Sequence, residues 1–205
     1  MIGAIVPAGG AGRRMGGVDK AALLVGGIPL LDRVLAAARP VCDRLVVVGP
    51  VRPTSVPGVE FLVEEEPGGG PVPAVLAGLA VTGDCDVILV LAGDLPLLSE
   101  ADLRRLLGEL DAPEVDAAAA AHGHVPNPLL AAYRATVLRS TAAGLPPAGT
   151  PAGGLLPPAT VVVDLGPATL NVNRAEDLAT AELLVQGSPS PRAVENPRGT
   201  AHGPA

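Results

Sequence analysis

Several residue types are scarce in this chain of 205 residues, and each shortage excludes a class of protein. Tryptophan is absent, and Phe61 and Tyr133 are the only aromatic residues, so Val, Leu, Ile and Ala must fill the core. Such cores are typical of mostly parallel sheets covered by helices. Cys42 and Cys85, the only cysteines, lie far apart in sequence, which excludes a disulfide framework and a CxxC metal motif.

Positive charge is scarce as well. The formal net charge is −7, and Lys20 is the only lysine beside thirteen arginines. A nucleic-acid surface needs clustered Lys and Arg, so this balance argues against nucleic-acid partners. The N-terminus lacks the basic segment and long apolar run of a secretory signal, and no apolar run reaches membrane-spanning length. We therefore expect a cytoplasmic protein with no membrane partner.

Short apolar runs alternate with helical patterns through the first half of the chain. The periodicity predicts strands at Ile2–Val6, Arg44–Gly49, Glu60–Val63 and Asp86–Ala92. It predicts helices at Leu30–Ala38 and Pro73–Val81 and, after the capping residue Ser99, through Leu110. This alternation predicts an α/β fold, a three-layer sandwich with a mostly parallel, doubly wound sheet.

The pattern is weaker in the second half. It predicts strands at Val115–Ala121, Leu129–Tyr133 and Thr160–Val163, and helices at Thr136–Ala143 and Arg174–Gln186. The Gly- and Pro-rich segment Gly144–Pro158 is expected to be a surface loop. We expect residues 1–186 to form a single domain and residues 187–205, which have little to bury, to be a disordered tail.

The first strand is followed by a glycine-rich segment that carries Arg13, Arg14 and Lys20. Open parallel sheets bind ligands at the carboxyl ends of their strands, and glycines there let backbone N–H groups approach phosphate oxygens. A Walker A loop is excluded because Ala21 stands where a Ser or Thr should follow the lysine. The segment does not match a dinucleotide-binding fingerprint either, because the third glycine of that motif is missing. A flexible loop whose charges are merely solvated stays open as an alternative.

Asp94 follows the most apolar strand, Val87–Leu91, and should emerge at the same edge of the sheet. A carboxylate in that position can bind Mg²⁺ beside a triphosphate. The alternative is that Asp94 caps the turn before Pro96.

The segment Pro7–Lys20, PAGGAGRRMGGVDK, resembles the signature loop of the molybdenum cofactor guanylyltransferases, the MobA-like NTP transferases, with Pro7 in place of the usual Leu. Gly68–Pro71, Gly93–Pro96 and Leu170–Asn173 resemble further motifs of that family, in the same order. The resemblance extends over about Ile2–Val185 and implies a nucleotide-diphospho-sugar-transferase-like fold.

The resemblance also implies an activity, which is Mg²⁺-dependent transfer of GMP from GTP to a molybdopterin-type cofactor with release of pyrophosphate. The residues it implies for catalysis are Arg14, Lys20 and Asp94, with Asp94 as the Mg²⁺ ligand. Those it implies for nucleotide binding are Pro7, Ala8, Gly9, Gly10, Arg14, Lys20, Glu65 and Asp94. Asn171 and Asn173 would lie toward the pterin substrate, although Asn173 is equally suited to cap the following helix. Transient contact with other proteins of cofactor biosynthesis is implied too.

Some positions depart from the family pattern. Glu65 is the best counterpart of a nucleotide-contacting Asp, and Val51 and Ala74 replace an Asn and a Gly. His122 and His124 have no further ligand at metal spacing and are interpreted as loop residues. The alternatives to guanylyl transfer are a cytidylyltransferase acting on the same cofactor or on another phosphorylated acceptor, and a noncatalytic nucleotide-binding module of the same fold.

Overall fold

The computed structural model describes residues 1–9, 19–63, 69–146 and 149–187, without the side chain of His122. The strands it describes are β1 (Ile2–Pro7), β2 (Leu24–Val25), β3 (Ile28–Pro29), β4 (Arg44–Val48), β5 (Val59–Leu62), β6 (Val87–Leu91), β7 (Ala117–His122), β8 (Val125–Arg134) and β9 (Thr160–Val163). The α-helices it describes are α1 (Leu30–Ala38), α2 (Pro71–Val81), α3 (Glu100–Glu109), α4 (Ala135–Ala143) and α5 (Ala175–Gly187).

Seven of these strands form one sheet in the order β5-β4-β1-β6-β8-β7-β9. The pairs on both sides of β1 are parallel, and β8 alone runs antiparallel to its neighbours β6 and β7. β1 lies between β4 and β6, so Pro7, Val48 and Leu91 end at the same edge of the sheet. The residues that directly follow these three strands therefore lie at one edge.

Helices cover both faces of this sheet because alternate strand residues are apolar on both sides. Ala4 and Val6 of β1 pack in a cluster with Leu35 of α1 and Leu103 of α3. Ile5 faces the other way and packs in a second cluster with the apolar residues of α2 and α4. The expected three-layer α/β sandwich with a mostly parallel sheet is confirmed. None of the described helices is long and apolar enough to cross a membrane.

Local signals explain where two helices begin. α2 begins at Pro71, which needs no backbone N–H in the first turn, and follows Gly70 with its positive φ of 97°. α3 begins after Ser99, whose hydroxyl accepts from the backbone N–H of Asp102 while the Asp102 carboxylate accepts from the backbone N–H of Ser99. The capping box expected at this point is confirmed.

A small apolar cluster attaches the C-terminal segment to the rest of the fold. It joins Val25 of the β2-β3 hairpin and Leu30 of α1 to Val172 and to Ala181 of α5, and all four side chains are fully buried. The cluster holds residues 170–174 against the carboxyl edge of the sheet.

Parts of the fold differ from expectation. The segment Gly144–Pro158, expected to be a surface loop, contains a 3-10 helix at Ala152–Leu155, and Leu155 is fully buried because it packs in the core beneath α4. The β2-β3 hairpin was not predicted, although the Gly26–Gly27 pair that forms its turn, with φ of 57° and 75°, is a recognisable hairpin signal.

Candidate active site

Asp94 lies just beyond the carboxyl end of β6, at the edge where β1 and β4 also end. Residues Ile88–Leu91 of β6 are fully buried and Ala92 is buried, and Asp94 is the first charged residue after the strand. The Asp94 side chain is 19% exposed, which leaves it accessible from the sheet edge.

Asn171 is anchored to Asp94 from the far end of the sequence. Its side-chain amide Nδ2 donates to Oδ1 of Asp94 over 2.9 Å, and the backbone N–H of Val172 donates to the Asp94 carbonyl over 3.0 Å. These two bonds orient the carboxylate and fix the C-terminal segment beside it. The Asp94 side chain therefore faces Asn171.

Lys20 enters the same cluster from the segment that follows the glycine-rich loop. Its Nζ donates to Oδ1 of Asn173 over 2.8 Å and lies 3.6 Å from Oδ2 of Asp94. The lysine side chain is 21% exposed, so an anion at the sheet edge can still reach its ammonium. The lone lysine, Asp94 and the two asparagines, which are separated by up to 153 positions, thus share one site.

The side chain of Asn173 is not the cap of α5. The backbone N–H groups of Asn173 and Arg174 both donate to Oδ2 of Asp177, each over 2.8 Å. Asp177 therefore stabilises the helix start, and the Asn173 amide is left to accept from Lys20. Between the two interpretations open from the sequence, this contact favours a place in the site.

Pro7, Ala8 and Gly9 lie at the end of β1, as the glycine-rich motif predicts. The backbone N–H of Ala8 donates to the Val48 carbonyl over 2.8 Å and continues the β1-β4 pairing by one residue. Gly49 follows at once with a φ of 152°, and a Cβ there would lie 2.7 Å from the Ala8 carbonyl carbon. Only glycine permits this approach without a shift of the backbone.

The structure adds Arg52, a residue that the sequence reasoning missed. Its guanidinium binds the Asp19 carboxylate in a bidentate pair, with Nε to Oδ2 at 2.7 Å and Nη2 to Oδ1 at 2.9 Å. The pair lowers the pKa of Asp19 through the hydrogen bond and the positive charge, which outweigh the effect of burial. A single arginine after a strand belongs to no sequence motif. Its position just after β4, at the edge where open parallel sheets bind ligands, could nevertheless have marked Arg52 as a candidate site residue.

Several other positions predicted from the sequence do not add to the described site. Gly10, Arg14 and Glu65 lie outside the described residues, as does the predicted tail beyond Gly187. His124 lies in the turn between β7 and β8, beside Gly123 with its φ of 65°, whereas His122, also interpreted as a loop residue, is the last residue of β7. Within the described ranges, no three or more His, Cys, Asp or Glu side chains are arranged so that they could hold a metal ion together.

The groups at this site have the charges and donor atoms that anions and cations require. One carboxylate, one ammonium and two amides converge at the carboxyl edge of the sheet, just beyond β6. An ammonium such as that of Lys20 can bind a phosphate, and a carboxylate such as that of Asp94 can bind a hard cation.

The family model for the MobA-like NTP transferase domain matches residues 4–150, which include all of β1 but its first two residues, as well as Lys20 and Asp94. The chain belongs to this family. A probable molybdenum cofactor guanylyltransferase from Deinococcus radiodurans is 37% identical to it over 195 residues, which make up 91% of this chain and 96% of that protein. This MobA-like NTP transferase is thus a nucleotidyltransferase.

Two other similar proteins agree with that assignment. A molybdenum cofactor guanylyltransferase from Cereibacter sphaeroides is 35% identical over 97 residues, a match that spans 46% of this chain and only half of that protein's length. Among solved structures, molybdopterin-guanine dinucleotide biosynthesis protein A from Archaeoglobus fulgidus has a TM-score of 0.69 and 25% identity. That match covers 91% of this chain and 99% of the other.

Proposed function

We propose that this MobA-like NTP transferase transfers GMP from GTP to a molybdopterin-type cofactor in a Mg²⁺-dependent reaction that releases pyrophosphate. The observation that carries the proposal is the convergence of Lys20, Asp94, Asn171 and Asn173 at the carboxyl edge of the sheet, beside the end of β1. The names of the relatives from Deinococcus radiodurans and Cereibacter sphaeroides support the choice of GTP and of the acceptor.

The donor set at Asp94 fits a Mg²⁺ ion that is held mainly through the nucleotide. Mg²⁺ commonly takes one or two carboxylates together with substrate phosphates and water, so one accessible aspartate is sufficient. Asp94 would supply that carboxylate, and Asn171 would hold it in place through the bond to Oδ1. When bound, the ion neutralises triphosphate charge and polarises the α-phosphorus.

The reaction itself needs no nucleophilic side chain. An oxygen of the acceptor's terminal phosphate forms a bond to the α-phosphorus of GTP while the bond to the pyrophosphate oxygen breaks, and pyrophosphate leaves. The protein then acts by alignment and by electrostatic stabilisation of charge. Lys20 is the described cation nearest Asp94, and it would bind the triphosphate and stabilise the leaving pyrophosphate. Asn171 and Asn173 would face the acceptor.

Substitution of the two charged residues tests the proposal. We expect Asp94→Asn to lower pyrophosphate release from GTP by about 100-fold or more, because loss of one preorganised electrostatic partner typically has that effect.

Lys20→Ala should weaken GTP binding and slow transfer, by about 10- to 100-fold in kcat/KM. The measurement is initial-rate pyrophosphate release with GTP, Mg²⁺ and molybdopterin.

Asp86→Asn is the matched control, because Asp86 precedes β6 at the opposite edge of the sheet, where it pairs with the amino group of Met1. It should leave turnover unchanged. Undiminished turnover in Asp94→Asn would remove the metal assignment, and unchanged kinetics in Lys20→Ala would return Lys20 to the solvated-loop interpretation.

A further inference from the structure

Arg52 contacts the chain on both sides of residues 10–18. Its Nη2 donates to the Ala8 carbonyl over 3.1 Å, just before that segment, and its bidentate pair holds Asp19, just after it. The residue that follows Asp19 is Lys20, whose ammonium lies in the site. One side chain therefore links the entry and the exit of the glycine-rich loop.

The guanidinium makes four of its five possible hydrogen bonds within the protein. A fourth bond runs from Nη1 to the Pro50 carbonyl over 2.9 Å, and the Arg52 side chain is only 12% exposed. An arginine used in this way presents its planar fork to protein acceptors rather than to a phosphate. Its effect on a nucleotide must therefore pass through the residues it holds.

The segment that carries Arg52 is itself fixed at its other end. The Asp32 carboxylate of α1 accepts from both the backbone N–H and the hydroxyl of Ser55, over 2.9 and 2.7 Å. Asp32 is 5% exposed, so this attachment is part of the packed structure. Arg52 thus extends from a segment anchored to α1 toward the ends of the loop.

We infer that Arg52 is a positioning residue for the nucleotide site, which acts through Asp19 and the Ala8 carbonyl to hold Lys20 and the end of β1 in place. The inference rests on the proposed function, because it assigns Arg52 a role toward the triphosphate without contact to it. Misplacement of a binding group by about 1 Å is enough to lower rates by as much as 100-fold.

A double-mutant cycle on GTP binding tests this role. Calorimetric titration with GTP and Mg²⁺ would compare the unaltered chain with Arg52→Ala, Asp19→Ala and the double variant. We expect each single variant to bind GTP about tenfold more weakly, and the double variant to match Arg52→Ala within about twofold, because the pair acts as one unit. Losses that multiply in the double variant would show direct contact with the nucleotide and overturn the inference.

Two further variants separate position from charge. Arg52→Lys keeps the charge but not the bidentate fork, so it should bind GTP as weakly as Arg52→Ala; binding restored to the original level would overturn the inference. Arg44→Ala is the matched control, since Arg44 is the first residue of β4, the strand that precedes Arg52, and pairs with Glu60 and Asp84 at the opposite edge of the sheet. It should leave GTP binding unchanged.

Hydrogen exchange gives a readout that does not depend on the activity. Amides of residues 19–25 should exchange faster in Arg52→Ala than in the unaltered chain and Arg44→Ala, because both attachments of Arg52 are lost. Asp19 is 46% exposed, so loss of its pair should leave the global fold intact, and Asp19→Ala breaks the same pair independently. Unchanged exchange would overturn the inference. Failure of the unaltered chain to bind GTP would instead refute the proposed function.

Discussion

At the scale of single residues, the site depends on close approach between backbone segments as much as on charged side chains. Gly49 shows this most clearly, because its missing side chain lets the end of β4 lie against the end of β1. A Cβ there would lie 2.7 Å from the Ala8 carbonyl carbon and 2.8 Å from the Gly9 nitrogen. Neither neighbour is a side chain that can turn away.

We predict that Gly49→Ala lowers the free energy of unfolding by about 1–3 kcal/mol, because an alanine must adopt the strained φ of 152° and displace Ala8 and Gly9. Urea unfolding followed by circular dichroism measures the change. The matched control is Gly108→Ala in α3, where a Cβ meets nothing within 4 Å and helix propensity favours alanine by about 0.5–1 kcal/mol. Equal stability of Gly49→Ala and the unaltered chain would contradict this account.

Sequence reasoning worked unevenly for the individual site residues. Lys20 and Asp94 could be placed together because both belong to loops after parallel strands, and such loops share one edge. The link from Asn173 to Lys20 could not be predicted, since an asparagine before a helix is equally suited to a capping role. In the structure the side chain of Asp177, in the first turn of α5, accepts from the backbone N–H groups of Asn173 and Arg174, and the Asn173 amide accepts from Lys20 instead of capping the helix.

At the scale of elements, α1 and the segment after β4 are joined by the buried carboxylate of Asp32. Burial raises the pKa of Asp32, but the hydrogen bonds from the backbone N–H and hydroxyl of Ser55 and from the Thr54 side chain together lower it by more, so that its pKa in the folded protein lies below the ordinary value. The stabilisation that results is present above the unfolded-state pKa of about 4 and is lost as pH falls through the folded-state pKa.

We therefore predict that Asp32→Asn lowers the free energy of unfolding at pH 7 by about 1–3 kcal/mol, since Ser55 loses a charged acceptor. The difference from the unaltered chain should shrink as pH falls below about 4, where Asp32 also loses its charge. Urea unfolding at a series of pH values measures both effects. Ser55→Ala removes only the hydroxyl bond, so its free energy of unfolding at pH 7 should lie between those of the unaltered chain and Asp32→Asn. A difference between Asp32→Asn and the unaltered chain that does not change with pH would contradict the charged role of Asp32.

The type of an element was predictable where its hydrophobic periodicity agreed with the residues that begin and end helices and strands. Leu30–Ala38 and Thr160–Val163 have the same bounds in the structure as in the prediction, and Pro40 follows the first of them as a stop signal. The direction of β8 was not predictable from its composition. It follows β7 through a tight turn at Gly123, and such a turn requires antiparallel pairing.

At the scale of the whole molecule, sheet order determines which loops can cooperate. β1 lies between β4 and β6, so the end of β1, the segment of Arg52 and the turn of Asp94 all lie at one edge. The C-terminal segment completes the site by returning to Asp94 through Val172. With a net charge of −7, the molecule repels anions overall, and Lys20 provides local positive charge where a triphosphate would bind.

The activity we propose for this site is transfer of GMP to a molybdopterin-type acceptor, and identification of the product is its sharpest test. The protein is incubated with molybdopterin, Mg²⁺ and equal concentrations of GTP and CTP, and the pterin product is identified by mass spectrometry while pyrophosphate is counted. We predict a product that carries GMP, with one pyrophosphate released for each molecule formed. A product that carries CMP, or no nucleotidylated pterin at all, would contradict the account.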